Sequence, residues 1–100
     1  MSTIKIIKYK TTPESADENA RLVEAVYAEL AESDPGGLSY VTFRLDDGVT
    51  FVHIAEVQGD ENPLMRSAAF AAFQKDIVER CVEAPNPADG TVVGSYGVLP

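Results

Sequence analysis

Two strand-like runs, Leu-Ser-Tyr-Val-Thr-Phe-Arg-Leu at residues 38 to 45 and Val-Thr-Phe-Val-His-Ile-Ala-Glu-Val at 49 to 57, flank Asp46-Asp47-Gly48. An Asp-Gly pair between such runs is the strongest short-range hairpin signal, because both central positions of a type I′ turn need positive φ. Folding the chain on Asp47-Gly48 sets a register. Phe43 falls opposite Val52, Val41 opposite Ile54 and Leu45 opposite Thr50 on one side, and Tyr40 opposite Ala55, Thr42 opposite His53 and Arg44 opposite Phe51 on the other. The first side is apolar almost throughout and the second is aromatic and mixed. A half-solvated sheet alternates cleanly between apolar and polar. This hairpin does not, so both of its faces need cover.

The rest of the chain supplies one cover. Residues 3 to 10 read as a strand, with β-branched and aromatic residues alternating with lysines. Ser15 and Glu18 have the form of a capping box, followed by Leu22, Val23, Val26, Tyr27 and Leu30 at helical spacing. The pattern predicts a helix over 15 to 32, stopped by Asp34-Pro35-Gly36-Gly37. Asn62 and Pro63 open a second helix, carried by Leu64, Ala68, Phe70, Phe73, Ile77 and Cys81 up to Glu83 and ended by Ala84-Pro85-Asn86-Pro87. Residues 91 to 98 complete the set as a strand entered through Asp89-Gly90. The order strand, helix, strand, strand, helix, strand is the ferredoxin-like, split βαβ-βαβ α+β layout: a four-stranded antiparallel sheet with two helices on one face. Residues 1 to 100 are expected to form one domain. The second face calls for a second copy of the sheet, hence a homodimer.

Composition excludes several roles. Sixteen acidic residues against eight basic ones give a net charge of −8, which repels phosphate backbones and anionic membranes. No nucleic-acid or membrane partner is expected. The N-terminus lacks a signal-peptide core and no apolar run reaches the ~20 residues of a membrane helix, so a cytoplasmic protein is expected. With one cysteine and one histidine there is no zinc-binding spacing, and no metal is expected. Cys81 reads as a small core hydrophobe on the second helix. No Ser/His/Asp set, phosphate-binding glycine loop, dinucleotide fingerprint or carboxylate pair is present.

The element order, the Phe-Val-His-Ile-Ala-Glu-Val strand, and the segment Asn62-Pro63-Leu64 leading into Ala68-Ala69-Phe70-Ala71-Ala72-Phe73 resemble the dimeric α/β-barrel superfamily, and particularly its antibiotic biosynthesis monooxygenase (ABM) group. The resemblance covers nearly the whole chain and implies a dimer packed sheet to sheet, with a ligand cleft between sheet and helices. It implies activities such as cofactor-independent oxygenation of polycyclic aromatics, with no cofactor. Haem-degrading members carry a helix histidine and a ring-buckling tryptophan. Here there is no Trp and the histidine lies on a strand, which argues against haem chemistry.

The candidate site centres on His53, on the mixed face with Tyr40, Thr42 and Phe51. An imidazole titrates near neutral pH and can pass a proton to or from a phenolic substrate. The other reading is a core histidine satisfied by Thr42, Tyr27 or a backbone carbonyl. The resemblance implies a pocket-lining role, since some barrel relatives carry a histidine on this strand. Tyr27, Phe70 and Phe73 either roof the cleft for a hydrophobic aromatic ligand or are plain core. Arg44, near the turn, is either a solvated rim charge or an anchor for a carboxylate or phenolate. Tyr96 packs either across a dimer interface or into the pocket.

Overall fold

The computed structural model describes residues 2–98. In chain order it contains β1 (Ser2–Thr11), α1 (Ala16–Ser33), β2 (Leu38–Arg44), β3 (Thr50–Gln58), α2 (Ala68–Gln74), α3 (Ile77–Arg80) and β4 (Cys81–Gly90), with 3-10 turns at Pro13–Ser15 and Pro63–Arg66. The sheet is antiparallel throughout in the order β2-β3-β1-β4. This is the ferredoxin-like arrangement, with all helices on one face.

The hairpin register is the one its sequence dictates, Tyr40 pairing with Ala55, Thr42 with His53 and Phe43 with Val52. Its turn is not type I′. Only Gly48 takes positive φ (80°), and Asp47 does not. Asp47 Oδ1 instead accepts from the Val49 and Thr50 amides, each at 2.9 Å, closing a longer loop.

The helices lie over the mixed face. Tyr9, Phe51, His53 and Ala55 of the sheet are buried beneath them. Val23 and Val26 of α1 and Phe70 and Phe73 of α2 complete the core around Tyr9 and Phe51. The apolar face is left open, with Ile6, Phe43 and Leu45 each more than a third exposed. It forms a groove of about 750 Å³ between the sheet and residues 91 to 98.

Four expectations are corrected. The Ser15 side chain makes no capping bond; Thr12 Oγ1 accepts from the Ser15 amide at 3.2 Å, starting α1 through the 3-10 turn. The second helix is not continuous to Glu83. It breaks at Lys75 and Asp76, where Asp76 turns left-handed (φ 62°), and the guanidinium of Arg80 donates to Phe73 O at 2.6 Å and Lys75 O at 3.0 Å, satisfying carbonyls that the broken helix frees. Residues 84 to 87 do not end a helix but run within β4, and Cys81, half-buried, begins that strand. Among the described residues, 91 to 98 pair with no strand, and the fourth strand comes from the preceding segment. Proline is compatible with β4 because β4 is an edge strand, where a missing N–H can face solvent.

Candidate functional site

His53 sits at the middle of β3 and is 3% exposed. The pleat points it at the helices, and two hydroxyl-bearing strands flank it. From β1, Tyr9 Oη lies 2.8 Å from Nε2. From β2, Tyr40 Oη lies 2.6 Å and Thr42 Oγ1 3.1 Å from Nδ1. Both nitrogens are therefore partnered.

The network extends further on each side. Asn19 of α1, fully buried, donates from Nδ2 to Tyr9 Oη at 2.8 Å, and Arg80 Nε donates to Asn19 Oδ1 at 3.2 Å. On the other side Thr42 Oγ1 meets Tyr27 Oη at 2.8 Å. Among the described residues no buried side-chain polar atom lacks a partner. Burial between sheet and helices pushes the His53 imidazole down to about 4 from an ordinary 6.5, so the ring is neutral at physiological pH. The same desolvation raises the Tyr9, Tyr27 and Tyr40 phenols above their usual range. From Asn19 through His53 to Tyr27 the site is thus a line of neutral, hydrogen-bonded groups, with the Arg80 guanidinium at its outer end.

The sequence-derived residues divide into three sets. Tyr27 and Tyr40 stack at 5.0 Å between ring centroids, and both line a cleft of about 330 Å³ between the end of α1 and β2, with Leu30 and Leu38 among its walls. Thr42 stands behind them against His53. Phe51, Phe70 and Phe73 lie in the core, with Phe73 5.3 Å from the imidazole and Phe51 stacked on Tyr9 at 5.5 Å. Arg44 is engaged at the hairpin end, donating to Gly48 O at 2.8 Å and pairing with Asp17 at 3.1 Å. Tyr96, outside all three sets, is fully exposed. Sequence reasoning passed over Tyr9, Asn19 and Arg80. Two signals were available: Asn19 falls four residues before Val23 on the apolar stripe of α1, and Arg80 falls three residues after Ile77 where a hydrophobe would continue the pattern.

A four-stranded antiparallel sheet with helices on one face and a histidine enclosed between the layers is a ferredoxin-like α+β domain, and comparison with solved structures makes the class narrower. Rv0793 from Mycobacterium tuberculosis superposes with a TM-score of 0.75 at 14% identity, over 95% of this chain and 98% of that one. A protein of Nitrosomonas europaea assigned to the antibiotic biosynthesis monooxygenases gives 0.75 at 9% identity, over 96% and 94%. A mutant form of SnoaB, a cofactor-independent oxygenase from Streptomyces nogalater, gives 0.60 at 13% identity, over 96% and 97%. In fold the chain is ABM-like, a four-stranded antiparallel sheet with helices on one face. No family model and no curated relative matches the sequence.

Proposed function

We propose that the protein is a homodimeric, ABM-like domain whose cleft between α1 and β2 takes a hydrophobic aromatic metabolite for cofactor-independent monooxygenation, with His53 as the acid/base group. The observation that carries this reading is Tyr40, which lines the cleft and bonds His53 Nδ1 at 2.6 Å. A ligand resting on the Tyr27–Tyr40 stack is one hydroxyl away from the imidazole. In oxygenation without a cofactor the electrons for dioxygen come from the substrate, so the substrate must be electron-rich, and control of a phenolic or enolic proton makes it so. Thr42 shares Nδ1 with Tyr40, Tyr9 holds Nε2 on the far side, and Phe51, Phe70 and Phe73 keep water from the ring. Arg44 stands at the rim. The homodimer is supported by the open apolar face.

A second reading, a non-catalytic binding or structural dimer, is favoured by the near-complete burial of His53 and by its satisfied hydrogen bonds. The experiment that separates the two is titration of polycyclic phenols into native protein and Tyr40→Phe, with dioxygen uptake recorded alongside thermal melts. The first reading expects the variant to bind ~1 to 3 kcal/mol more weakly, the cost of a buried hydrogen-bond partner left alone, with uptake falling in step. Loss of melting temperature with no binding by either protein would establish the second.

A further inference from the structure

We propose that Asn19, oriented by Arg80, is a positioning residue that fixes the proton of His53 on Nδ1, so that the histidine arm faces the cleft as a hydrogen-bond donor and suits a ligand with an acceptor oxygen, such as a ketone carbonyl or a phenolate.

Along one buried line each donor must meet an acceptor. A guanidinium only donates. Arg80 Nε points at Asn19, so the atom that receives it is the amide oxygen, and the amide nitrogen is the one turned to Tyr9. Tyr9 Oη therefore accepts from Asn19 Nδ2. Its own proton still needs an acceptor, and His53 Nε2, 2.8 Å away, is the one within reach. If Nε2 carried a hydrogen, Tyr9 would face two donors, and its hydroxyl proton would have no acceptor in a site where an unmade bond is expensive. So Nε2 is bare.

A neutral imidazole has one proton, and it then lies on Nδ1, shared between Tyr40 Oη and Thr42 Oγ1. Tyr40 accepts it, and its own proton is turned toward Thr42 or the cleft. Every hydrogen bond on this line runs outward from Arg80. Where Tyr40 turns its proton to the cleft, an oxygen there is met by a donor, and in this resting tautomer the arm stabilises negative charge on that oxygen, which is the acid half of the role proposed for His53. This last step rests on the reading of the cleft as a ligand site; the tautomer does not.

His53 is the only histidine, so a protein carrying 15N-labelled histidine gives one pair of ring signals, in which the protonated nitrogen resonates far upfield of the bare one. Ligand-free native protein is expected to show Nδ1 protonated. A proton on Nε2, or an even mixture, overturns the proposal and requires no variant to fold. Asn19→Asp replaces the donor facing Tyr9 by an acceptor while keeping a partner for Arg80, and is expected to reverse the line and move the proton to Nε2; an unmoved proton overturns the role of Asn19. In the ligand arm, tetralone, whose carbonyl only accepts, is expected to bind several-fold more tightly than tetralin, which has no polar atom, and Tyr40→Phe should abolish the difference. Equal binding overturns the assigned polarity. Failure of both compounds to bind strikes the cleft reading, while the tautomer stands or falls on the spectrum.

Discussion

At the scale of single residues, His53 couples the site to stability. Its imidazole is held down to about 4 by burial against an ordinary 6.5. Between those values the unfolded chain takes up a proton that the folded chain refuses, so stability rises with pH across the window and is lost on acidification, by about 3 kcal/mol in all. Asp47 acts in a lower window. The Thr50 hydroxyl and the Val49 and Thr50 amides hold its carboxylate at about 2 from 3.8, so its contribution is present above 3.8 and lost as pH falls toward 2. Denaturant unfolding at pH 7, 5 and 4 checks the first statement when native protein is paired with His53→Gln, which has no imidazole to titrate. The gap between their stabilities is expected to move steadily in the variant's favour below pH 6.5. Parallel curves would mean that the ring titrates in the fold as it does in the unfolded chain.

At the scale of elements, α1 ends on Asp34, whose backbone is left-handed (φ 43°, ψ 60°) and whose amide donates to Leu30 O at 2.8 Å. That conformation costs a side-chain-bearing residue roughly 1 kcal/mol, and a carboxylate at a helix C-terminus opposes the macrodipole. Asp34→Gly removes both penalties and adds some freedom to the unfolded chain. A net gain of about 0.5 kcal/mol is expected, seen as a rise of a few degrees in Tm, while Asp34→Val should lower it.

The same segments show what a sequence discloses. The hairpin register was legible because period-2 alternation and an Asp-Gly turn act locally. The end of α1 was legible for a similar reason, through Asp34-Pro35. Strand β4 was not, because Pro85 and Pro87 count against a strand everywhere except at an edge, and edge position is a property of the assembled sheet. The valines of residues 91 to 98 have strand composition but no strand partner among the described residues. The break after α2 was hidden for a related reason, since it depends on Arg80 reaching back to Phe73 and Lys75. Within the site, His53, Tyr40 and Thr42 could be grouped from the register alone. Tyr9, Asn19 and Arg80 join them only once β1 pairs with β3 and α1 packs above.

At the scale of the whole molecule, the open sheet face decides how the protein lives in solution. Ile4, Ile6, Val41, Phe43 and Ile54 line one groove with Val92 and Val98, and Val93 and Tyr96 are fully exposed beside it. An apolar surface of this continuity marks an interaction site, and burial of well over ~1,000 Å² in total is the level a specific contact reaches. Two copies each carry a charge of −8. Their mutual repulsion opposes association and is screened by salt, whose Debye length is ~10 Å at 0.1 M, whereas apolar burial does not weaken with salt. Dimerisation is therefore expected to tighten as ionic strength rises. Phe43 is the position to test, since it stands on the open face away from the core, paired with Val52. Phe43→Asp should give a monomer that keeps its circular dichroism and its His53 signals. Phe51→Asp, on the covered face, should unfold the chain instead, because it places a charge among Tyr9, Val26 and Phe73. Sedimentation equilibrium over a range of salt reads the first pair of statements directly. A native chain that sediments at 10.8 kDa at every salt concentration would leave the open face without a second copy to cover it.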